Sequence, residues 1–407
     1  MKRFDVIVIG GGAAGMIAAG CAAARGKRVL MLEKNNTVGE KLIITGGGRC
    51  NITNAEFNER LLLKNYGKAA PFLFSAFSQF GVQDTFDFFE SLGLPLVVQE
   101  GNRAFPKTER ATDVRRVLEK YMKNGGVTVK TGARVTRIQS DGSRVTGVDA
   151  SGDRYEAGAV IIATGGTSHP ETGSTGDGFA WLRELGHTVH TPTPSIVPLE
   201  VFEKSIRDLA GVSIPGVKIS YYLNDKKEFS RKGNLLFTHF GISGPVVLNS
   251  SGKVGDLLHE GKVVARIDFF PEENERELDD RIIALFDENK NKVLRNIFNL
   301  LAPHQLLFCM KGISGEEKVH SVTKEQRGVI VHTLKAIPLT ITRLMGLDRA
   351  VVVDGGVDMK EIHNKTMRST LYDNLYIVGD LLDINRPSGG YSLQLCWTTG
   401  WVAGSSA

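Results

Sequence analysis

Apolar and polar positions follow a strand, helix, strand pattern at the start of the chain. A short β-branched run at residues 5–9 leads into a glycine turn and an alanine-rich segment that ends at Gly26. A second apolar run at residues 28–32 then stops at Glu33. Apolar runs of this length, bounded by turn residues, are typical of strands buried in a parallel sheet. The pattern therefore predicts a βαβ unit.

Two later apolar runs also stop at glycine. AVIIATGG, residues 159–166, ends in Thr-Gly-Gly, and LYIVGD, residues 375–380, ends in Gly-Asp. Between these runs the α/β pattern weakens after residue 190, where Pro192, Pro194 and Pro198 are typical of a crossing linker. Short strand-like runs follow the prolines. We therefore expect one domain that is interrupted by another.

A helical stretch and a return to strands set the remaining boundaries. The segment from Glu277 has helical periodicity, with Ile282, Leu285 and Phe286 on one face, and strand-like runs return from about Ile337. The sequence thus predicts an α/β fold with a Rossmann-like FAD-binding domain in two chain segments and an inserted domain that is β-rich and partly helical. The expected FAD-binding domain is residues 1–190 and 337–407, and the inserted domain is residues 191–336, β-rich over 191–271 and helical over 272–336.

The first glycine turn is what indicates a dinucleotide. Gly10, Gly12 and Gly15 form G-x-G-x-x-G, in which glycines allow a tight turn, close approach of the main chain to a pyrophosphate, and close helix packing. The helix that follows directs unpaired N–H groups and its positive dipole end at the phosphates. Glu33 is placed to accept hydrogen bonds from ribose hydroxyls. A purely structural glycine turn is the alternative, but the strand, turn, helix, strand and acid occur in the expected order.

This fingerprint is shared by NAD-binding and FAD-binding proteins. The two later strands that stop at glycine are expected if one long cofactor lies across several strand ends of an open sheet. FAD is the dinucleotide long enough to need them, so we expect FAD bound without a covalent bond. The sequence has no second dinucleotide-binding unit, so any NAD(P)H must bind in a shallow or shared site.

Charge and cysteine content exclude several other classes. The 407 residues include 50 basic and 45 acidic side chains without a block of like charges, so we expect no nucleic-acid partner. Cys21, Cys50, Cys309 and Cys396 form neither a CxxC pair nor a metal-ligand cluster, which predicts a cytoplasmic protein with no disulfide and no metal site. Residues 6–24 are uncharged but rich in glycine and alanine, so we expect no membrane segment.

Six segments together resemble a known family. They are GGGAAG, KLIITGGGRCNITN, ATGGTSHPETGSTGDG, LLFTHFGISGP, VDGGVDMKEIHNKTMRS and GDLLDINRPSGGYSLQLCWTTGWVAG. They are similar to segments of the BaiN/YhiN-type NAD(P)/FAD-dependent oxidoreductases, and the resemblance extends from residue 1 to about residue 404. It implies a flavoprotein with a glutathione-reductase-like FAD fold and NAD(P)H as a transient reductant. The family commonly has Gly-Glu where this chain has Gly379-Asp380, as in the wider FAD superfamily.

The fingerprint and the resemblance together give a set of candidate cofactor-binding residues. They are Gly10, Gly12, Ala13, Ala14, Gly15, Glu33, Lys34, Lys41, Thr45, Gly46, Gly47, Arg49, Cys50, Asn51, Val135, Ala163, Thr164, Gly165, Gly166, Asp177, Gly379, Asp380, Gly389, Gly390, Tyr391, Ser392 and Leu393. We expect Asp380 at the ribitol of FAD.

The stretch TGGGRCNITN contains three glycines in a row, at residues 46–48. Adjacent glycines weaken any helix or strand, so another role must compensate for that loss. A glycine run lets the main chain approach a flat ligand and direct N–H groups at it. Lys41 and Arg49 are candidates to neutralise a pyrophosphate or to hold a substrate oxyanion. The alternative is a surface hairpin turn with a solvated arginine.

A second glycine loop precedes a predicted C-terminal helix. Gly389 and Gly390 come directly before a helical run that begins near Tyr391. Such a helix would direct its positive end at the N1–C2=O edge of a flavin, where negative charge gathers on reduction. The alternative is an ordinary C-terminal helix with Trp397 and Trp401 in the core, and both interpretations can hold together.

Three residues are candidates for chemistry beside the flavin. We expect the inserted domain to cover the reactive face and to present His239, which can donate a proton near neutral pH. A histidine bonded within a structural turn is the alternative. Tyr391 is a second candidate proton donor by its position. Cys50 is either a redox-active thiol or a packed neutral one, and the absence of a nearby partner cysteine favours the packed thiol.

Three functions remain open from the sequence. The first is an FAD-dependent oxidoreductase that reduces a small organic molecule with electrons from NAD(P)H, and the family resemblance suggests an enone C=C bond. The second is an RNA-acting flavoprotein related to tRNA-modifying enzymes, and the third is a flavin electron carrier without its own substrate. A pocket over the isoalloxazine favours the enzyme, whereas a bare flavin edge favours the carrier. The substrate and the oligomeric state stay open.

Overall fold

The chain folds into two units, and the computed structural model describes residues 2–350 and 352–407. One unit comprises Met1–Pro194 with Ala350–Ala407, and the other comprises Ser195–Arg349. We call them the FAD-binding unit and the inserted unit. The second boundary lies later than the expected residue 337, because the strand that begins at Ile337 is hydrogen-bonded on both sides to strands of the inserted unit.

Twenty strands lie within the described residues, and most are short. They are β1 Lys2–Ile9, β2 Val29–Leu32, β3 Thr53–Asn54, β4 Leu96–Gln99, β5 Arg103–Pro106, β6 Thr128–Lys130, β7 Val135–Asp141, β8 Arg144–Ala150, β9 Asp153–Ile162, β10 Val189–Ser195, β11 Leu199–Val201, β12 Ser213–Leu223, β13 Lys226–Thr238, β14 Gly241–Ser243, β15 Val263–Asp268, β16 Ile337–Leu344, β17 Val352–Val357, β18 Ile362–His363, β19 Arg368–Ser369 and β20 Leu375–Ile377.

Thirteen α-helices accompany these strands in the same ranges. They are α1 Ala13–Ala24, α2 Glu40–Ile44, α3 Glu59–Leu63, α4 Ala70–Phe77, α5 Val82–Ser91, α6 Ala111–Asn124, α7 Asp177–Glu184, α8 Pro245–Leu248, α9 Ser251–Glu260, α10 Glu275–Glu288, α11 Leu294–Phe298, α12 Lys324–Ala336 and α13 Tyr391–Ser406. The helix predicted to start near Tyr391 begins at that residue.

A parallel sheet forms the centre of the FAD-binding unit. Its parallel strands lie in the order β20-β9-β1-β2-β6, and β8 and β19 extend it by antiparallel pairing. Ile9 lies opposite Leu32 on one side and opposite Ile162 on the other, and Ile377 lies opposite Ile162. The carboxyl ends of these four strands are therefore level. The segments that follow them meet at one edge, the usual ligand site of an open α/β sheet. The predicted Rossmann-like fold is confirmed.

Close contact between α1 and α13 brings the C-terminal helix to the same edge. A β-carbon added at Gly400 would lie 2.4 Å from the Ala14 oxygen, and one added at Gly404 would lie 2.5 Å from the Ala18 oxygen. Only glycine permits this separation of the two helices, which explains why these two positions are glycine. The middle of α13 thereby lies beside the first turn of α1, and the N-terminal turn of α13 extends past the N-terminus of α1.

Buried polar contacts connect α13 to β3, which follows the glycine run. The Gln394 side-chain oxygen accepts hydrogen bonds from the Thr53 hydroxyl at 2.6 Å and from the Thr85 hydroxyl at 3.0 Å. The Trp397 ring N–H donates to the Ile52 carbonyl at 2.9 Å. Because buried polar groups need partners, these bonds fix α13 and β3 together in one orientation.

The inserted unit is built on a closed barrel. Six strands close in the order β11-β14-β13-β12-β15-β16. Alternate side chains of β12, Val217, Ile219 and Tyr221, are fully buried, as expected for strands that face a packed interior. On α10, Ile282 and Phe286 lie in the core with Leu285 packed beside them, which confirms the predicted helical face.

A buried Ser–His–Glu chain lies on the outer part of the FAD-binding unit. His187 Nδ1 lies 2.8 Å from a Glu361 oxygen, and its Nε2 lies 2.9 Å from the Ser369 hydroxyl. That hydroxyl also accepts hydrogen bonds from the Leu371 and Tyr372 main-chain N–H groups. Both His187 and Ser369 are buried. Burial lowers the pKa of His187, which favours the neutral ring, and the burial of both side chains makes the chain a structural connection.

Candidate cofactor site

A cavity of the FAD-binding unit opens where the strands of its parallel sheet end. Seventeen predicted cofactor-binding residues line it: Gly10, Gly12, Ala13, Ala14, Glu33, Lys34, Lys41, Thr45, Val135, Ala163, Thr164, Gly165, Asp177, Gly379, Asp380, Ser392 and Leu393. Fourteen of them come from the ends of β1, β2, β9 and β20 and from the first turns of α1, α7 and α13, whereas Lys41 lies in α2, Thr45 follows α2 and Val135 begins β7. The fold thus brings together motifs that are far apart in the sequence.

The other ten predicted residues lie outside the lining of this cavity. They are Gly15, Gly46, Gly47, Arg49, Cys50, Asn51, Gly166, Gly389, Gly390 and Tyr391. Gly15, Gly46, Gly166 and Tyr391 are adjacent in sequence to a residue that does line it, whereas Arg49, Cys50 and Asn51 lie four to six residues after Thr45. Several of them shape the wall from behind, and their own contacts show how.

The glycines of the first loop have different structural roles. A β-carbon at Gly15 would lie 1.9 Å from the Gly10 oxygen, and one at Gly10 would lie 2.6 Å from the Ala163 oxygen, so both glycines are required for packing. A β-carbon at Gly12 would meet no protein atom within 4 Å. Gly12 therefore leaves open space at the N-terminus of α1, where a pyrophosphate fits.

Glu33 fixes the shape of the first loop. One carboxylate oxygen accepts a hydrogen bond from the Gly11 N–H and the other accepts from the Asn35 N–H, both at 2.7 Å. The residue is buried and lines the cavity. A carboxylate oxygen has more than one acceptor position, so Glu33 can also accept from a ligand hydroxyl.

Basic and acidic side chains are paired on the β2 side of the cavity. The Lys34 ammonium donates to the Asp177 carboxylate at 2.9 Å and to the Thr175 hydroxyl at 2.5 Å. Arg134 lies 4.0 Å from the other Asp177 oxygen. Burial opposes the ionisation of Asp177, but Lys34 and Arg134 outweigh it and lower the pKa of that carboxyl. The network orders the wall between β2 and α7.

A second charged group lies on the β20 side. Asp380 contacts the Arg386 guanidinium with one oxygen, and its other oxygen lies 3.6 Å from the Lys41 ammonium. Lys41 also donates to the Ser168 hydroxyl at 2.5 Å. Burial opposes the ionisation of Asp380, but Arg386 and Lys41 outweigh it and lower its pKa. The carboxylate is therefore ionised and held by two cations.

The glycine run at residues 46–48 is an exposed turn beside the cavity. All three glycines have left-handed φ values, 57°, 68° and 84° in order, which explains why the run is glycine. A β-carbon at Gly47 would meet no protein atom within 4 Å. The main chain of the run is thus open to solvent, or to a ligand that extends past Thr45 at the edge of the cavity.

Arg49 is held by protein groups instead of facing the cavity. Its guanidinium lies 4.4 Å from the centre of the Phe105 ring, 3.3 Å from the Gln99 side-chain oxygen and 3.6 Å from a Glu109 oxygen. The expected role at a pyrophosphate is therefore not supported by its placement, because its charge is already engaged by the β4–β5 hairpin.

Cys50 is a packed thiol, as the sequence favoured. It is fully buried, and burial raises the pKa of the thiol to about 12, so it is neutral at pH 7. Its main chain has a φ of 62°, which directs the chain from the glycine turn into β3. A redox role is wrong for a thiol in this state.

The second glycine loop positions α13. A β-carbon at Gly390 would lie 2.2 Å from the Thr53 carbonyl carbon, so glycine is required where the loop crosses β3. Ser392 and Leu393 in the first turn then line the cavity. Tyr391 is half-buried and lies edge-on to the Tyr66 ring at 5.9 Å between centroids.

His239 lies in the inserted unit, in the turn between β13 and β14. Its side chain is exposed, and its ring lies edge-on to Phe240 at 4.9 Å between centroids. Its ring contact is with the neighbouring residue of the same turn, and a role in proton donation stays a prediction.

The sequence analysis missed several residues of the site. Trp181 and Cys396 line the cavity, as does Arg134. Arg386 is buried behind Asp380. A single arginine between GDLLDIN and PSGG was the available signal, since a cation in a mostly apolar segment beside a glycine loop needs a partner.

The cavity suits FAD on three observations from the protein itself. Gly12 leaves open space at the start of α1. The Thr164 hydroxyl is buried and finds no hydrogen-bond partner among the described residues. Within those same residues, no side chain caps α1 at Gly12 or α13 at Gly390, so the first N–H groups of two helices are available to a ligand. A dinucleotide can satisfy all three.

Two other kinds of feature are absent from the described residues. Across residues 2–350 and 352–407, no group of three or more His, Cys, Asp or Glu side chains is placed to hold a metal ion. None of the helices in those ranges is long and apolar enough to span a bilayer.

Solved structures share this fold. The 3-ketosteroid-delta4-(5alpha)-dehydrogenase of Rhodococcus jostii aligns with a TM-score of 0.54 and 14% identity, over 100% of this chain and 96% of that one. A variant of the E. coli quinol fumarate reductase FrdA aligns with a TM-score of 0.56 and 16% identity, over 100% and 70%. At these identities the likeness establishes the fold.

Sequence relatives cover nearly the whole chain. A 3-dehydro-bile acid delta(4,6)-reductase of Clostridium scindens is 32% identical over 98% of each chain. Ribosomal RNA dihydrouridine synthases of E. coli and Haemophilus influenzae are 27% and 29% identical, over at least 97% of each chain. Residues 4–406 match the family described as HI0933-like protein Rossmann domain. This chain therefore belongs to the HI0933-like family of FAD-dependent oxidoreductases, the BaiN/YhiN type that its motifs resemble.

Proposed function

We propose that this protein reduces a C=C bond conjugated to a carbonyl in a small organic molecule, with electrons from NAD(P)H passed through FAD. The observation that carries the proposal is full-length similarity to a bile acid reductase, together with a cavity whose residues suit FAD. The same observations favour an enzyme over an electron carrier.

The names of the relatives describe one kind of bond. A 3-dehydro bile acid with unsaturation at positions 4 and 6 is a conjugated ketone. Dihydrouridine is uridine with its C5=C6 bond saturated, and that bond is conjugated to the C4 carbonyl. In both cases hydride addition to the far carbon places negative charge on the carbonyl oxygen, and a proton must then reach the near carbon. The enzyme must therefore hold an oxyanion and supply a proton.

The residues of the cavity divide along an extended dinucleotide. We assign Glu33 to the adenosine ribose, the open space at Gly12 to the pyrophosphate, and Asp380 to the ribityl chain. When bound, FAD supplies hydride transfer between the nicotinamide and the substrate. The protein's own contribution is to bind and orient the two, and to exclude water.

Tyr391, which lies beside the cavity, is the proton donor that we propose. Burial raises the pKa of its phenol, so the group keeps its proton throughout the neutral range. It stands in the first turn of α13, one residue before the cavity-lining Ser392. Tyr391→Phe should lower kcat by about 10²–10⁴-fold while FAD binding is retained, the usual contribution of a general acid.

Reduction of uridine in ribosomal RNA is a second candidate, favoured by the E. coli and H. influenzae relatives. Its weakness lies in the charges of the inserted unit. Lys232 lies 2.6 Å from Glu272, and Lys335 lies 2.9 Å from Asp268. Paired lysines have less charge available for phosphates, so these two contribute little to a basic face for RNA.

The two candidates are separated by one anaerobic assay. FAD-loaded protein is mixed with NADH or NADPH and either a 3-oxo-Δ4 steroid or protein-free ribosomal RNA. The proposal predicts nicotinamide oxidation and a saturated ketone with the steroid. Dihydrouridine in the RNA, with no reaction of any steroid, would replace the proposal by the second candidate.

We also place this reaction in the cytoplasm. All four cysteines are free thiols, which favours a reducing compartment.

A further inference from the structure

Arg386 is a buried cation that the proposed reaction does not yet use. Only 2% of the residue is exposed. Its guanidinium donates to the Ile384 carbonyl at 2.6 Å, to the Ser392 hydroxyl at 3.1 Å and to the Asp380 carboxylate. Burying a guanidinium is unfavourable unless its donors are satisfied, so these three bonds explain how the charge is accommodated.

Two of its partners line the cavity, whereas Arg386 itself does not. Asp380 follows β20, and Ser392 stands in the first turn of α13. The planar guanidinium contacts both at once and fixes their separation, which a flexible ammonium group does poorly. Arg386 therefore acts on the wall of the cavity from behind it.

The charge around Asp380 does not cancel. Arg386 and Lys41 are both in contact with this one carboxylate, and no other acid is within ion-pair distance of either cation in the described residues. The three side chains therefore carry one net positive charge. In a buried setting that charge is weakly screened.

The strand order shows which half of FAD meets this charge. In the order β20-β9-β1-β2, the pyrophosphate position at Gly12 follows β1, and Glu33 follows β2 on one side. Asp380 follows β20 on the opposite side. A dinucleotide extended across these strand ends, with its adenosine at Glu33, therefore has its flavin half toward Asp380 and Ser392.

We propose that Arg386 is a positioning residue for the flavin half of the cofactor, which holds Asp380 and Ser392 in place and contributes the excess positive charge beside them. The inference rests on the proposed FAD site. Positive charge near a flavin stabilises its electron-rich reduced state, so Arg386 raises the midpoint potential of the bound flavin.

The test compares Arg386→Met and Arg386→Lys without any substrate. Three quantities are measured: the FAD dissociation constant by flavin fluorescence, the midpoint potential by dye equilibration, and the unfolding of the apoprotein in urea. Arg386→Met should weaken FAD binding at least tenfold and shift the potential to more negative values. Arg386→Lys should weaken FAD binding but keep the potential near that of the wild type, because the charge remains.

A matched control lies in the inserted unit. Arg327 also pairs with an aspartate, Asp279, at 2.6 Å and 3.3 Å. Arg327→Met should lower stability while FAD affinity and potential stay unchanged.

The outcomes separate this inference from the FAD site itself. An Arg386→Met protein with wild-type potential would overturn the inference. If that variant fails to fold, Arg386→Lys decides: a weakened FAD affinity with a retained potential supports the inference, and an unchanged affinity overturns it. A wild-type protein that binds no FAD would instead refute the proposed function.

Discussion

The first glycine loop, at residues 10–15, and the glycine run at residues 46–48 look alike in sequence but differ in what requires the glycines. In the first loop, β-carbons at Gly10 and Gly15 would collide with main-chain oxygens, and only Gly12 faces open space. The glycines of the run at residues 46–48 are exposed, and a β-carbon at Gly47 would meet no protein atom within 4 Å. Packing therefore requires glycine at Gly15, packing and a φ of 101° both require it at Gly10, and left-handed φ values require it at residues 46–48.

The difference separates glycines that packing or φ requires from a glycine that neither requires. The protein alone accounts for Gly10 and Gly15, and φ accounts for the run at 46–48. Gly12 is different, because its φ of −80° suits any residue and its space is free. A pyrophosphate bound in this space, as we propose, would give Gly12 a role that neither packing nor φ supplies.

The largest expected effect is on folding. Gly15→Ala would place a methyl group 1.9 Å from the Gly10 oxygen, which a helix packed on its sheet cannot relieve. We expect a loss of about 3 kcal/mol or more in the free energy of unfolding, at the upper end of overpacking effects. Urea unfolding of the apoprotein measures this, and near-wild-type stability would show that the first loop is not packed as described.

The next effect tests the acid behind the first loop. Glu33→Ala should weaken FAD binding by roughly 1.5–3 kcal/mol, the range for a lost hydrogen bond to a charged group. The same change leaves the Gly11 and Asn35 N–H groups without their acceptor. Isothermal titration with FAD measures the loss. Glu33→Gln, which keeps the size of the side chain, should give an intermediate value, and an unchanged affinity in both variants would assign the acid to loop structure alone.

Gly12→Ala sharpens the comparison within the first loop. Its methyl group would enter the space assigned to the pyrophosphate, so FAD affinity should fall by about 1–3 kcal/mol. The apoprotein should lose at most about 1 kcal/mol, since alanine is a poorer N-cap than glycine. Gly252→Ala is the matched control, because that glycine also stands at the start of a helix with free space around it. Equal FAD affinities in the two variants would place the pyrophosphate elsewhere.

The smallest effect concerns the glycine run at residues 46–48. Gly47→Ala should destabilise the apoprotein by about 1 kcal/mol through its φ of 68°. Gly26→Ala, with a φ of 81° and equally free space, should cost the same. If the flavin covers the exposed main chain, only Gly47→Ala, and more strongly Gly47→Val, also weakens FAD binding. Identical FAD affinities of Gly47→Ala, Gly47→Val and Gly26→Ala would show that the glycine run is a surface turn.

Much of this site was predictable because the sequence pattern follows the strand ends. The runs that stop at Gly10, Glu33, Thr164 and Gly379 predicted several strand ends along one cofactor, and the parallel register shows that these ends are level. A parallel sheet turns such local signals into a shared edge, so distant motifs can be placed together without knowledge of the contacts.

Side-chain direction was not predictable in the same way. Arg49 and Arg386 both stand beside glycine loops, yet the first is held by Phe105 and Glu109 and the second is buried against Asp380. These contacts depend on which elements pack together, and nothing in the local sequence specifies them. The boundary near residue 337 was missed for the same reason, since β16 is assigned by its barrel partners.

A crystal structure of the FAD-loaded protein tests the central claim most directly. The account predicts the pyrophosphate against the main chain at Gly12, the adenosine ribose at Glu33, and the isoalloxazine on the side of Asp380 and Ser392. FAD in the reverse orientation, or bound away from the ends of β1, β9 and β20, would contradict it.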